Sequence, residues 1–155
     1  MKQITADTYF EIYGENVVIP YYSNLEKDYC ARYCRFLAND VFGVSYLPKD
    51  SWNYPLHTNL ISDIAKLDDM LKIFNLNKLS AGNVLLCKYP KSRYSKRVDE
   101  NGDRVIGTHL CIYLGENLEN NSHLFAHQFG KKQYVFSFEE FSFFKLSPKK
   151  ILSRK

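Results

Sequence analysis

Apolar residues along this chain recur with one period in its first half and another in its second. Between residues 24 and 42, NLEKDYCARYCRFLANDVF puts Leu25, Tyr29, Tyr33, Phe36, Leu37 and Val41 at helical spacing, and Gly43 follows as a stop. Two starts are open for this helix. Ser23 with Glu26 makes a capping box, whereas Asp28 would cap a helix beginning at Tyr29. Residues 60 to 74, LISDIAKLDDMLKIF, carry Leu60, Ile61, Ile64, Leu67, Leu71 and Phe74 on one stripe and predict a second amphipathic helix. From about residue 83 the pattern shortens to NVLLCKY, RVIGTHLCIYL, HLFAHQF and QYVFSF, which read as strands separated by Asn101-Gly102, Gly115 and Gly130. Helices first and strands afterwards predict an α+β fold, its twisted antiparallel sheet packed on the first helix.

Residues 1–155 contain no repeat, linker or low-complexity tract, so one domain is expected. An apolar fraction of 45% beside 25% charged residues is that of a globular protein able to bury a core. No stretch approaches the length of a membrane span. The opening residues, MKQITADTYFEIYGENVV, are polar where a secretory leader needs an apolar segment, so the expectation is a chain that is cytoplasmic at synthesis.

The net charge of +4 is concentrated in KYPKSRYSKR, residues 88 to 97, and in the closing PKKILSRK. Both read first as solvated loop and tail, and second as an attraction for polyanions. No recognition-helix or RNA-binding signature accompanies them, so no specific nucleic-acid partner is expected.

Four cysteines remain: Cys30, Cys34, Cys87 and Cys111. The last two sit inside apolar runs and are expected to be buried structural thiols. Cys30 and Cys34 stack on one helical face. Downstream, His109 in GTHLCIYLG and His127 in LFAHQFG lie in consecutive predicted strands. A thiol near a helix start, an imidazole to take its proton and a second polar group to orient that imidazole meet the needs of thiol catalysis. Because Cys34 is a turn deeper, Cys30 is the expected nucleophile. Gln128 points to the face opposite His127 and is the alternative third member if the register slips by one. Cys30, Cys34, His109 and His127 also satisfy the donor count of a zinc site, but Cys-x3-Cys on one helix lacks the usual knuckle turn. The expectation is therefore no metal and no cofactor.

CARYCRFL, GTHLCIYLG and LFAHQFG, in that order, resemble the NlpC-type cell-wall peptidases and their CHAP-like amidase relatives, over residues 28 to 140. LSAGNVLL is similar to the Gly-Asp strand opening of that family, with Asn83 where Asp is usual. The resemblance implies a papain-like fold that hydrolyses an amide bond in peptidoglycan stem peptides. It implies Cys30 as nucleophile, His109 as general base and then acid, and His127 as the orienting residue. By the same analogy Tyr22 or Tyr21 reaches the oxyanion. Trp52, in the loop between the two predicted helices, either lines a substrate groove or packs at the helix junction, and Gln128 is a further candidate for the groove. The chain departs from the family in having Tyr29 before the cysteine, a basic insertion over residues 88 to 105, and the polar ENLENNSH after the histidine strand. Without a leader, such an enzyme would reach the wall by injection, phage release or a non-Sec route. Two other readings keep the constellation or the fold: a toxin-like deamidase or transglutaminase acting on a protein, and a binding module without turnover.

Overall fold

Residues 8 to 19, TYFEIYGENVVI, are rich in β-branched and aromatic residues on either side of Tyr13-Gly14, and they fold as a hairpin. The computed structural model describes residues 1–26, 29–44, 71–88 and 108–152. Its elements are β1 (Lys2–Ile4), β2 (Thr8–Ile12), β3 (Glu15–Ile19), α1 (Cys30–Phe42), β4 (Leu71–Ile73), β5 (Val84–Lys88), β6 (Thr108–Asn117), β7 (Ser122–Phe129), β8 (Lys132–Ser137) and β9 (Ser147–Leu152). Seven antiparallel strands form one sheet in the order β1-β8-β7-β6-β5-β9-β4, and β2 pairs with β3 separately. The class is α+β, mostly strand, with one α-helix among the described residues. None of those residues forms a helix long and apolar enough to cross a membrane.

Gly43 ends α1 as the sequence predicts. Its φ of 62° is left-handed, and the N–H groups of Gly43 and Val44 return to the Asn39 and Ala38 carbonyls at 3.1 and 3.0 Å. The predicted strands after residue 83 also appear, as β5 to β8.

Other expectations are corrected. Three strands precede the helix, so the order is not helices first. Tyr13 and Gly14 both have positive φ, which suits the tight turn of the β2–β3 hairpin. The stripe read as a second helix lies outside the described residues from 60 to 70, and its end is strand: Leu71–Ile73 pairs with Leu152–Lys150 of β9. The basic C-terminal run is not a solvated tail over its described part. It becomes β9, inserted between β5 and β4, with Pro148 opposite Cys87 where the register shifts. A proline is tolerated at such an irregularity because no ladder donor is needed there. Gly115 does not end its strand. It lies inside β6 at φ +130° beside a register shift, and a Cβ there would meet Ile12 Cγ2 at 2.5 Å and Tyr13 Cε2 at 2.7 Å. That close approach seats the hairpin on β6, where Tyr13 N–H donates to the Glu116 carbonyl at 2.8 Å. Trp52, His57, Asn101-Gly102 and residues 89 to 97 of the basic run lie outside the described residues.

Both faces of the sheet are covered, which is why its strands read as nearly continuous apolar runs. On one face Cys30, Ala31, Tyr33, Cys34, Leu37 and Ala38 of α1 pack with Leu110, Ile112, Ala126 and Val135. On the other, Cys111, Tyr113, Phe125 and Phe136 meet Phe141, Phe144 and Leu146, which follow β8. The abundant aromatics build this second core through edge-to-face pairs, among them Phe125–Phe141 at 4.8 Å and Phe136–Phe141 at 5.0 Å.

Candidate active site

The helix that carries the thiol starts at neither residue suggested by capping. Its first residue is Cys30, with Tyr29 as N-cap and no side-chain capping bond; Asp28 lies outside the described residues. The reason is long-range. Gln133 binds both backbone groups of Tyr22, accepting from its N–H at 3.0 Å and donating to its carbonyl at 2.8 Å. Gln128, directly across from Gln133 in the β7–β8 ladder, donates to the Glu26 carbonyl at 2.5 Å, and the two amides join at 3.1 Å. The Glu26 carbonyl, which a helix beginning at Asn24 would need for its own ladder, is thus bound by the sheet, and the helix begins at residue 30.

Replacing Gln133 by Leu is expected to cost about 3 kcal/mol, because it leaves two buried backbone groups of the lead-in without partners. The urea midpoint measures this, and a loss below about 1 kcal/mol would show that the tether does not hold the lead-in.

At the first helical position, Cys30 lies where the partial positive charge of α1 is greatest, and no acid in the first turn offsets it. Its Sγ accepts from the Leu110 N–H at 3.5 Å, so the thiol meets β6 one residue beyond His109. Cys34 is fully buried in the core, and burial, followed by the neighbouring Cys30 and Cys87, pushes its pKa well up. That thiol stays protonated. Cys87 and Cys111 are also buried, with their sulfurs 3.7 Å apart.

His109 and His127 are joined. His109 Nε2 lies 3.0 Å from His127 Nδ1, and the rings meet edge to face at 4.9 Å. Extending the β6–β7 register places the two residues diagonally, a separation that aromatic side chains bridge. His127 is boxed by Phe136 at 4.5 Å, Phe144 at 4.4 Å, Phe129 at 5.5 Å and Tyr134 at 5.9 Å. Burial lowers its pKa to about 3, so it is neutral near pH 7. Its Nε2 is buried without a hydrogen-bond partner. Surrounded by aromatic rings, that atom is better served carrying a proton than a lone pair, since N–H groups are attracted to π faces. Nδ1 of His127 is then the acceptor, His109 donates through Nε2, and Nδ1 of His109 is the basic nitrogen of that ring.

The remaining sequence candidates fall as follows. Gln128 lies on the α1 face of the sheet, opposite His127, where it ties down the Glu26 carbonyl. The Tyr22 hydroxyl donates to Asp40 at 2.8 Å, about 15 Å of helical rise beyond Cys30, and its ring packs on Tyr33 and Phe36. Burial first, and then that bond, raise its pKa. Tyr22 therefore braces α1 rather than facing the thiol. Tyr21 is exposed and uses its N–H on Asp7. His123 lies in β7 and meets the Tyr113 hydroxyl at 2.8 Å. The zinc alternative is not assembled: among the described residues no group of three or more His, Cys, Asp or Glu is placed to hold a metal ion. Sequence reading missed the role of the glutamines. Their signal was two Gln inside apolar strand runs, where a buried amide demands partners.

The described residues thus combine an α+β fold, a helix-start thiol that accepts from the Leu110 N–H on the α1 face of the sheet, and a histidine pair coupled among the aromatics of the other face. Comparison with known protein families, curated proteins and solved structures finds no match.

Proposed function

We propose that this protein is a cysteine hydrolase of papain-like arrangement that cleaves an amide bond in peptidoglycan stem peptides. The observation that carries the reading is the 3.0 Å His109–His127 contact, made one residue from the backbone N–H that donates to Cys30 Sγ. The choice of peptidoglycan as substrate is supported by the order and wording of CARYCRFL, GTHLCIYLG and LFAHQFG.

In this mechanism His109 Nδ1 takes the Cys30 proton, and the imidazolium is held by the bond from Nε2–H to His127 Nδ1. The thiolate attacks the amide carbon, and the oxyanion is met by N–H groups of the first turn of α1, which have no acceptor within the helix. His109 then protonates the leaving amine, and the acyl-enzyme forms. Water, activated by the same imidazole, releases the acid and restores the thiol. Cys30 and His109 are 1% and 3% exposed.

Digestion of purified muropeptides, followed by mass spectrometry, tests the reading. The expected products gain one water at a stem amide bond. Deamidation or cross-linking of a protein with no muropeptide product would instead favour a deamidase or transglutaminase. Retention of muropeptides without products would identify a binding module.

A further inference from the structure

Arg32, at the third position of α1, carries a positive charge where the helix field disfavours one. Its Nε is buried and has no hydrogen-bond partner. Among the described residues the ion pair present joins the N-terminus to Glu140, so no carboxylate there neutralises Arg32. Its guanidinium instead lies over the Tyr29 ring, 4.3 Å from the centroid. Side chains on a helix lean toward its N-terminus, and Tyr29 immediately precedes Cys30. The guanidinium is therefore held by an aromatic platform at the same end of α1 as the thiol. Burying a donor of a charged group without an acceptor is costly, and native structures seldom leave one so. The Arg32 Nε–H is left open, and a planar guanidinium matches a carboxylate in two-point geometry.

We propose that Arg32, set by Tyr29, receives a carboxylate of the peptide whose amide bond Cys30 attacks, and so selects anionic peptides over their amidated forms. This rests on the hydrolase reading above. It assigns a cation that no carboxylate among the described residues neutralises a partner supplied by the substrate, and explains why a positive residue is tolerated at the wrong end of a helix.

Two alkylating reagents separate the proposal from the reading beneath it. Iodoacetate and iodoacetamide both react by thiolate displacement of iodide with formation of an S–C bond, but only iodoacetate carries a carboxylate. The second-order rates at Cys30, read by peptide mass spectrometry, give a ratio that cancels any difference in folded fraction. Arg32→Gln is expected to lower the iodoacetate-to-iodoacetamide ratio on the order of three- to tenfold, and Arg32→Lys to lower it less. Arg35→Gln is expected to leave it unchanged. With cleavable stem peptides, the wild type is expected to favour the free acid over its amide in kcat/KM, and Arg32→Gln to erase that preference. An unchanged ratio in Arg32→Gln, or an equal fall in Arg35→Gln, overturns the carboxylate assignment while leaving the hydrolase intact. Failure of Cys30 to react with either reagent overturns both.

Discussion

On the proposed hydrolase reading, Cys30→Ala is expected to abolish amide hydrolysis, lowering turnover on the order of 10⁴- to 10⁶-fold, whereas Cys34→Ala retains most of it. The two thiols sit one helical turn apart, yet their surroundings differ. Cys30 occupies the first position of α1 and accepts a backbone N–H from β6. Cys34 is enclosed by core, and burial raises its pKa well above the ordinary thiol range. Removing a nucleophile takes away the covalent step, while removing a buried thiol leaves only a small cavity, with a cost felt in stability. His109→Ala should fall between these limits, at about 10²- to 10⁴-fold, because a general base is lost but the thiol remains. Steady-state rates on one muropeptide, with thermal melts for each variant, make the comparison. Equal loss in Cys30→Ala and Cys34→Ala, with zinc found by elemental analysis, would transfer the cysteines to a metal site.

Acid is expected to weaken the fold through His127, by roughly 1.4 kcal/mol per pH unit between about pH 6 and pH 3. The unfolded imidazole takes up its proton near pH 6.5, and the folded one, desolvated among Phe136, Phe144, Phe129 and Tyr134, only near pH 3. Between these values the unfolded chain binds one more proton, so stability is complete above pH 6.5 and falls as the pH is lowered. Across the whole window the loss approaches about 4 to 5 kcal/mol, a large share of the stability of a small domain. Urea unfolding at pH 7, 5 and 4 measures the slope. His127→Phe removes the titrating ring and keeps an aromatic filler, so its slope should be shallower than that of the wild type. The same variant takes the Nδ1 acceptor from His109 and should lower turnover, whereas His127→Asn, which keeps an acceptor, should restore part of it. Parallel slopes in wild type and His127→Phe would show that His127 is not a buried neutral imidazole in solution.

The residues of the candidate site could be nominated from the chain, because residue type and local spacing suffice for that. The thiol at a candidate helix start and two histidines in neighbouring strand runs needed only the periods of helix and strand. The faces were harder. Gln128 and His127 are consecutive, so alternation alone assigns them opposite sides without saying which side holds the helix. In the structure Gln128 serves the Glu26 carbonyl on the α1 side, and His127 meets His109 among the aromatics. Tyr22 shows the same limit: its distance from Cys30 along the chain is short, but its hydroxyl is spent on Asp40.

Local patterning therefore determined the Gly43 stop, strands β5 to β8, and the buried Cys87 and Cys111. Tertiary structure alone decided where α1 begins, because the competing capping residues are locally equivalent. The choice fell to Gln133 and Gln128, whose bonds to Tyr22 and Glu26 span 111 and 102 residues of sequence. It also decided that PKKIL becomes β9 and that the chain opens with a hairpin seated over Gly115. These features come from backbone groups finding partners far away in the chain, a requirement that no local window of residues expresses.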